Sequence, residues 1–207
     1  MPKPTTALAC SATLLSLLLP AVQAAPNSPF VPPPPLRIGV GGDYADGLDG
    51  MLAARGLPRE RLFPWELTDP EVLKRFDRLF LSCPEPQPGL DEVLMAWVKA
   101  GGRAYIEVPR LRTKSVVLPA YLSIPGPAPE GSDAVIGDPA LALASGLPPG
   151  TPIDLYDLVG VLLRPRQGVE ARTLAQFCPD KGGAVLPGGD ALLAVPLGQG
   201  ELSLIHI

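Results

Sequence analysis

Apolar positions along this chain follow two alternating spacings, which predict helices and strands in turn. The clearest helix is predicted at 90–99, where apolar residues recur every three or four positions and Gly101 follows. A similar stripe at 44–52 predicts an earlier helix, and the Thr-x-x-Glu order at 68–71 is typical of a capping box at the start of a third. Short apolar runs predict buried strands at 36–40, 61–65, 78–82 and 103–108.

Strands and helices in this order predict a doubly wound α/β fold. A strand-helix-strand crossover is right-handed and makes its two strands parallel. Three such units predict a mostly parallel sheet flanked by helices, in a flavodoxin-like three-layer arrangement. Beyond Pro109 the pattern loosens into an irregular, β-rich C-terminal half, predicted to extend the same sheet with antiparallel strands. Its predicted elements are strands at 115–118, 158–163, 171–177 and 191–196 and a helix at 139–144.

The N-terminus has the pattern of an export signal. Lys3 precedes an apolar stretch at 7–22, and Val22-Gln23-Ala24 before Ala25 is typical of a signal peptidase site. An uncleaved membrane anchor needs about 20 apolar residues, and Pro20 ends this run early. We therefore expect residues 1–24 to be a signal peptide and the mature protein to be periplasmic or extracellular.

The rest of the chain divides into a linker, one domain and a short tail. The proline-rich segment at 25–35 is predicted to be an extended linker. Residues 36–200 are predicted to form a single α/β domain. Residues 202–207 look like translated sequencing-adapter read-through, and we interpret 201–207 as an artefactual or truncated tail.

Charge and histidine content exclude several classes of function. The chain has 17 Lys and Arg against 21 Asp and Glu, whereas nucleic-acid binding requires clustered positive charge. Its single histidine is His206, the second-to-last residue. The residues needed for a Ser-His-Asp triad or a histidine-based zinc site are therefore almost absent. No second stretch is long enough to span a bilayer. We therefore predict neither a nucleic-acid partner nor a transmembrane helix after the signal peptide.

No cofactor or metal is predicted either. The run Gly39-Val40-Gly41-Gly42 is similar to a dinucleotide-binding loop, but Tyr44 stands where a third glycine is required. Asp43, Asp46 and Asp49 lack the alternating spacing of a calcium loop, and helix capping with first-turn acids explains them.

The order of these elements resembles the class I glutamine amidotransferase-like superfamily over most of 36–200. The resemblance is carried by Phe76-Asp77-Arg78-Leu79-Phe80-Leu81-Ser82-Cys83, by Trp97-Val98-Lys99-Ala100-Gly101-Gly102, and by the later segments 138–139, 146–147, 173–175 and 193–200. It is strongest with a non-catalytic branch of exported and membrane-attached bacterial proteins. Trehalose-utilisation-type domains and the trimerisation domain of β-galactosidases are more distantly similar.

The resemblance also implies where catalysis would take place. Active members have a nucleophilic cysteine in a Gly-x-Cys-x-Gly turn after the strand that is 103–108 here, but this chain continues Glu107-Val108-Pro109-Arg110. Cys83 follows the preceding strand instead. The resemblance therefore implies an inactive member.

Candidate binding residues follow from the geometry of open α/β sheets, which bind ligands beyond the carboxyl ends of the strands where strand order reverses. The predicted ligand-binding residues are Gly41, Gly42 and Asp43 after the first strand and Glu107, Arg110 and Arg112 after the fourth. The arginines, with Lys114, could hold a carboxylate or phosphate, although a solvated basic loop explains them as well. Cys83 and Cys178 are a possible disulfide in an exported protein, or buried thiols.

Two functions are compatible with these features. The first is an exported, non-catalytic binding or scaffold module whose partner is an unknown protein or small-molecule ligand. The alternative is a small-molecule or carbohydrate-acting hydrolase that uses Asp43, Glu85 or Glu107. Glycoside hydrolysis requires two carboxylates roughly 5–9.5 Å apart in one cleft. The missing nucleophile turn and the scarcity of histidine favour the first function.

Overall fold

A computed structural model describes a large part of the chain. The described residues are 34–43, 45–82, 84–108, 121–123, 125–129, 132–140, 142, 148, 150–153, 162–179 and 184–206. Several predictions lie outside these residues: the signal peptide, most of the linker, the strand at 115–118, Cys83, Arg110 and Arg112. The helix predicted at 139–144 is described only at 139, 140 and 142, which are helical.

The first half of the fold alternates strands and helices. Its elements are β1 (Ile38–Gly41), α1 (Ala45–Ala54), β2 (Arg59–Arg61), a 3₁₀ helix (Pro64–Thr68), α2 (Pro70–Leu73), β3 (Arg78–Ser82), α3 (Leu90–Lys99) and β4 (Arg103–Val108). The strands lie in the order β2-β1-β3-β4, and each adjacent pair is parallel. The predicted helix at 90–99 and the predicted strands at 78–82 and 103–108 are confirmed with these bounds.

Two details of the predicted pattern are wrong. The strand predicted at 61–65 ends at its first residue, because Pro64 lacks a backbone N–H for a ladder and suits the first turn of a helix. Helix α2 is capped by Asp69, whose carboxyl accepts a hydrogen bond from the backbone N of Glu71 at 2.8 Å. The predicted cap, Thr68, instead bonds within the preceding 3₁₀ helix.

The second half of the fold is antiparallel. Its strands are β5 (Leu122–Ser123), β6 (Asp133–Ile136), β7 (Pro152–Ile153), β8 (Arg164–Pro165), β9 (Arg172–Cys178), β10 (Asp190–Leu197) and β11 (Gly200–His206). The large sheet continues β4-β11-β10-β9-β6-β7, parallel between β4 and β11 and antiparallel from there on, while β5 and β8 pair separately. The α/β fold and the antiparallel extension are confirmed. Neither β6 nor β7 was predicted.

Strand β11 joins the two halves of the sheet. It lies between β4 and β10, and its side chains Leu202 and Leu204 are fully buried. The predicted domain boundary at residue 200 therefore falls at the first residue of a central strand. The interpretation of 201–207 as an artefactual or truncated tail stays a prediction.

The sheet separates two apolar cores. Leu48 of α1 packs with Phe80 in one core, and Leu94 of α3 packs with Leu79 in the other. Neighbouring residues of β3 reach different cores because successive side chains of a strand point to opposite faces. Each fully buried leucine contributes roughly 1.5–3 kcal/mol to stability. None of the helices in the described part of the chain is long and apolar enough to cross a membrane.

Candidate functional site at the carboxyl edge of the parallel strands

The strand order reverses at β1. The chain passes from β1 to β2 on one side and then to β3 on the other, with α1 and α3 on opposite faces. The carboxyl ends of β1, β3 and β4 meet at one edge of the sheet because these strands are parallel. Ligands of open α/β sheets bind in the crevice beyond such an edge, next to the reversal.

Glu107 is the half-buried acid at this edge. It is directly opposite Ser82 in the register of β3 and β4. The Ser82 hydroxyl donates to Glu107 Oε2 at 2.6 Å, and the Tyr105 hydroxyl donates to Oε1 at 3.2 Å. Tyr105 and Glu107 are two residues apart on one strand, so their side chains lie on the same face. The three side chains form a polar cluster, Ser82–Tyr105–Glu107, at the end of the core that α1 covers.

The carboxyl of Glu107 has an altered acidity. Burial raises its pKa above the ordinary value, and the hydrogen bonds from Ser82 and Tyr105 lower it in part. In the described part of the chain, no second carboxylate contributes to the shift. A carboxyl that retains its proton to higher pH can donate a hydrogen bond as well as accept one.

The predicted glycines allow the first loop to approach this cluster. Gly42 has a φ of 102°, and a Cβ atom there would lie 1.9 Å from the carbonyl oxygen of Ser82. A side chain at this position would push the loop away from β3. Gly41, the last residue of β1, is buried, and its own added Cβ would meet Leu62 and Leu81 at 3.4 Å, an ordinary contact. Gly42 thus acts by close backbone approach.

The other predicted residues do not join the cluster among the described residues. Asp43 is exposed in the turn before α1, and Glu85 is exposed in the loop after β3. Neither forms a described hydrogen bond with Glu107, whose two contacts are both hydroxyls. Arg110 and Arg112 lie outside the described residues.

Ser82 and Tyr105 were missed from the sequence. Ser82 was assigned only to the end of a predicted strand, and Tyr105 only to the interior of another. Two signals were available: residue 82 is the last position of its strand, and residue 105 shares a face with Glu107. Neither signal specifies the register between β3 and β4, which brings the hydroxyls to the carboxyl.

A second carboxyl at this edge has no such neighbours. Asp91, in the first turn of α3, has its pKa raised to about 6, chiefly by burial and to a smaller extent by Glu92. Its Oδ1 atom is buried without a hydrogen-bond partner. Helix N-termini favour negative charge, so an acid at this position is common as a structural feature. Asp91 is therefore not included in the candidate site.

Cys178 is fully buried at the end of β9. Since Cys83 lies outside the described residues, the disulfide stays a prediction.

No group of three or more His, Cys, Asp or Glu side chains in the described ranges is arranged to hold a metal ion. A cleft of about 330 Å³ lies at the opposite, amino edge of the sheet, where Asp77, Arg78 and Trp97 line it. Arg37 bonds both oxygens of Asp77, at 2.7 and 3.1 Å, and keeps the pKa of that carboxyl below its ordinary value. This cleft is at the wrong end of the strands for a ligand site of this fold class.

Comparisons with known proteins give structural matches only. No protein-family model and no curated protein sequence matches the chain. A cytoplasmic protein from Salmonella typhimurium is 14% identical over 82% of this chain and 87% of its own, with a TM-score of 0.58. A ThuA-like protein from Bacteroides uniformis is 9% identical over 87% of this chain and 85% of its own, with a TM-score of 0.55.

A β-galactosidase from Bacillus circulans is 10% identical over 82% of this chain, with a TM-score of 0.55, but the match covers 28% of the enzyme. The chain thus corresponds to about a quarter of that enzyme's length. At these identities the matches establish the fold alone. ThuA-like proteins have the class I glutamine amidotransferase-like fold. The α/β fold of this chain is therefore similar to that of ThuA-like proteins.

Proposed function

We propose that this chain is an exported, non-catalytic module that binds a small, uncharged polar ligand at the carboxyl edge of its sheet. The observation that carries this proposal is the contact set of Glu107, in which both carboxyl oxygens accept from hydroxyls. Hydroxyls and a carboxyl with a raised pKa suit neutral hydrogen-bonding groups, because a desolvated site penalises an unpaired charge. Amides, polyols and sugars have such groups.

The absence of a catalytic partner supports a binding role. The strand that precedes the nucleophile in active relatives is followed here by Pro109, which is not a nucleophile. A general acid also needs a second group that attacks or activates water. In the described residues, Glu107 has no carboxylate neighbour that affects its pKa. The hydrolase alternative therefore lacks its required pair of acids in this part of the chain.

Export is supported by the N-terminal pattern. A charged residue, an apolar stretch and a small residue before Ala25 are the three parts of a signal peptide. In a bacterium expressing the full gene, the protein recovered from the periplasm or medium should have the mass of a chain beginning at Ala25. A protein recovered only from the cytoplasm, with residues 1–24 retained, would contradict export.

The binding site is tested by thermal unfolding of the purified protein with a panel of small amides, polyols and monosaccharides. A ligand that binds the native state raises the unfolding temperature. We expect at least one compound to do so, and we expect Glu107→Leu to abolish the shift. Glu107→Gln retains the shape and hydrogen bonding of the side chain and should retain part of the shift. Glu85→Gln, a change of an exposed acid in the next loop, is the matched control and should retain all of it.

Two outcomes would overturn this proposal. If no compound shifts the wild-type protein, or if Glu107→Leu responds as the wild type does, the site is not a binding site for these ligands. If NMR shows that a ligand is hydrolysed, at a rate lost in Glu107→Gln, the protein is an enzyme and the alternative function is correct.

A further inference from the structure

Two aromatic side chains are stacked on the surface just after β2. Phe63 and Trp65 have ring centroids 4.7 Å apart and ring planes within 2° of each other. Their exposed fractions are 54% and 63%. In the described part of the chain, Val185 is the only other large apolar residue that is exposed. A single exposed apolar side chain is ordinary, but a contiguous exposed pair is typical of a recognition surface.

The pair is held rigidly. Pro64 lies between the two aromatic residues and begins the 3₁₀ helix. The Glu66 carboxyl accepts a hydrogen bond from the backbone N of Phe63 at 2.8 Å, and the Thr68 hydroxyl donates to the carbonyl oxygen of Trp65 at 2.8 Å. Leu67, which is 2% exposed, anchors the same turn in the core under α3. The rings are therefore exposed because a well-bonded turn holds them in solvent.

The pair lies at the edge where ligands bind in this fold class. The backbone N of Leu62 donates to the carbonyl oxygen of Val40 at 2.7 Å, which places the residues after β2 beside the end of β1. Charged residues adjoin the pair along the chain: Arg61, which forms an ion pair with Asp46, is two residues before Phe63, and Glu66 follows Trp65 in the same turn. These three charged residues are called the polar rim below.

The geometry of the two rings limits which kinds of ligand can bind to them. One face of each ring covers the other, so only flat outer faces are available. Proline-rich peptides dock into aromatic-lined grooves, and stacked rings leave no groove between them. A stable protein interface needs about 800 Å² on each partner, far more than two rings, and the adjacent β2 consists of three exposed charged residues.

We propose that Phe63 and Trp65 form an aromatic platform on which the flat, apolar face of a sugar ring stacks, so that this protein binds a saccharide beside β2. The sugar hydroxyls at the edge of the ring would bond to the polar rim formed by Arg61, Asp46 and Glu66. This site is distinct from the Ser82–Tyr105–Glu107 cluster and does not depend on it.

The test is native electrophoresis of the purified protein in gels containing hydroxyethyl cellulose, galactomannan or soluble starch. We expect retardation in at least one gel. Trp65→Ala should remove it, with affinity reduced about 10-fold or more, since 1.4 kcal/mol corresponds to a factor of ten. Trp65→Phe retains an aromatic face and should retain part of the retardation. Val185→Ala, at another exposed apolar position, is the matched control.

Tryptophan fluorescence gives a second measurement with the oligosaccharide of the polymer that binds. The chain has two tryptophans, and Trp97 is buried while Trp65 is exposed, so a stacked sugar should change the emission of Trp65 alone. Glu107→Leu should leave both results unchanged, which separates this proposal from the proposed function. No retardation and no fluorescence change with any of the three would overturn it. Equal retardation of Trp65→Ala and the wild type would do the same, provided that circular dichroism shows both to be folded.

Discussion

Asp138 and Glu107, one poorly exposed acid in each half of the sheet, have different partners. In the antiparallel half, the buried Asp138 forms an ion pair with Arg172 at 2.5 Å. In the parallel half, Glu107 accepts hydrogen bonds from two hydroxyls, and its pKa is raised. Ion pairs of the parallel half, such as Arg37 with Asp77, lie at more exposed positions. The buried acid of the antiparallel half is therefore paired with a charge, whereas Glu107 has no charged partner in the described residues.

Strand direction explains why the candidate site lies in the parallel half. Parallel strands all end at one edge, so the residues that follow them collect there. Antiparallel neighbours end at opposite edges, so their ends do not collect in this way. A candidate site in this molecule is therefore to be sought where parallel strands end.

The largest effect on stability is expected from Gly42→Ala, a substitution at the carboxyl edge of the parallel half. The new Cβ would lie 1.9 Å from the Ser82 carbonyl oxygen at a φ of 102°, so we expect a loss of about 3 kcal/mol in the free energy of unfolding. Gly47→Ala is the control, because its Cβ would meet nothing within 4 Å and helix α1 should gain about 0.5–1 kcal/mol. Urea unfolding measures both. Equal stabilities would show that the close approach at Gly42 is not required.

A smaller effect is expected in the antiparallel half from Asp138→Ala. This change leaves Arg172 without its buried partner, but Arg172 is half exposed and can be rehydrated, so we expect a loss of about 2 kcal/mol. Arg172→Ala and the double variant complete a thermodynamic cycle. We expect a coupling energy of about 1 kcal/mol between the two residues. A coupling near zero would mean that the antiparallel half does not depend on paired charges.

The smallest effect on stability is expected from the two partly buried acids at the carboxyl edge of the sheet. Asp91 has its pKa raised from 3.8 to about 6, so the native state binds its proton more tightly than the unfolded chain does. This contribution to stability is fully present below pH 3.8 and is lost as pH rises through about 6. We expect Asp91→Asn to be about 1 kcal/mol more stable than the wild type at neutral pH, after allowance for solvent screening.

Stability measured by urea unfolding across this pH range checks the prediction, and an unchanged pH dependence in Asp91→Asn would contradict it. Glu107→Gln should also increase stability at neutral pH, because burial raises the pKa of Glu107 as well. Its effect should be smaller, since the hydroxyls of Ser82 and Tyr105 offset part of the burial. A larger effect at Glu107 than at Asp91 would show that the hydroxyls do not stabilise its charged form.

Local patterns predicted the elements of the parallel half well. The strand at 78–82 has an apolar centre at 79–81 and the helix at 90–99 has a clear stripe, and both signals are complete within about ten residues. The strand at 133–136 was missed, because only four residues of it pair and glycine and proline residues surround it. Of the candidate site, Glu107 and Gly42 were among the predicted residues, but the hydroxyls that bond Glu107 were not; that these residues bind a ligand stays a prediction.

The sequence by itself determined the α/β class and predicted the edge at which the candidate site lies, because periodicity and strand ends are local properties of the chain. It also determined that a nucleophile turn is absent after 103–108. Only the tertiary structure decided that Ser82 lies opposite Glu107, and that Phe63 and Trp65 stack in solvent. The physical reason is that register and exposure depend on packing between distant segments, which no local pattern encodes.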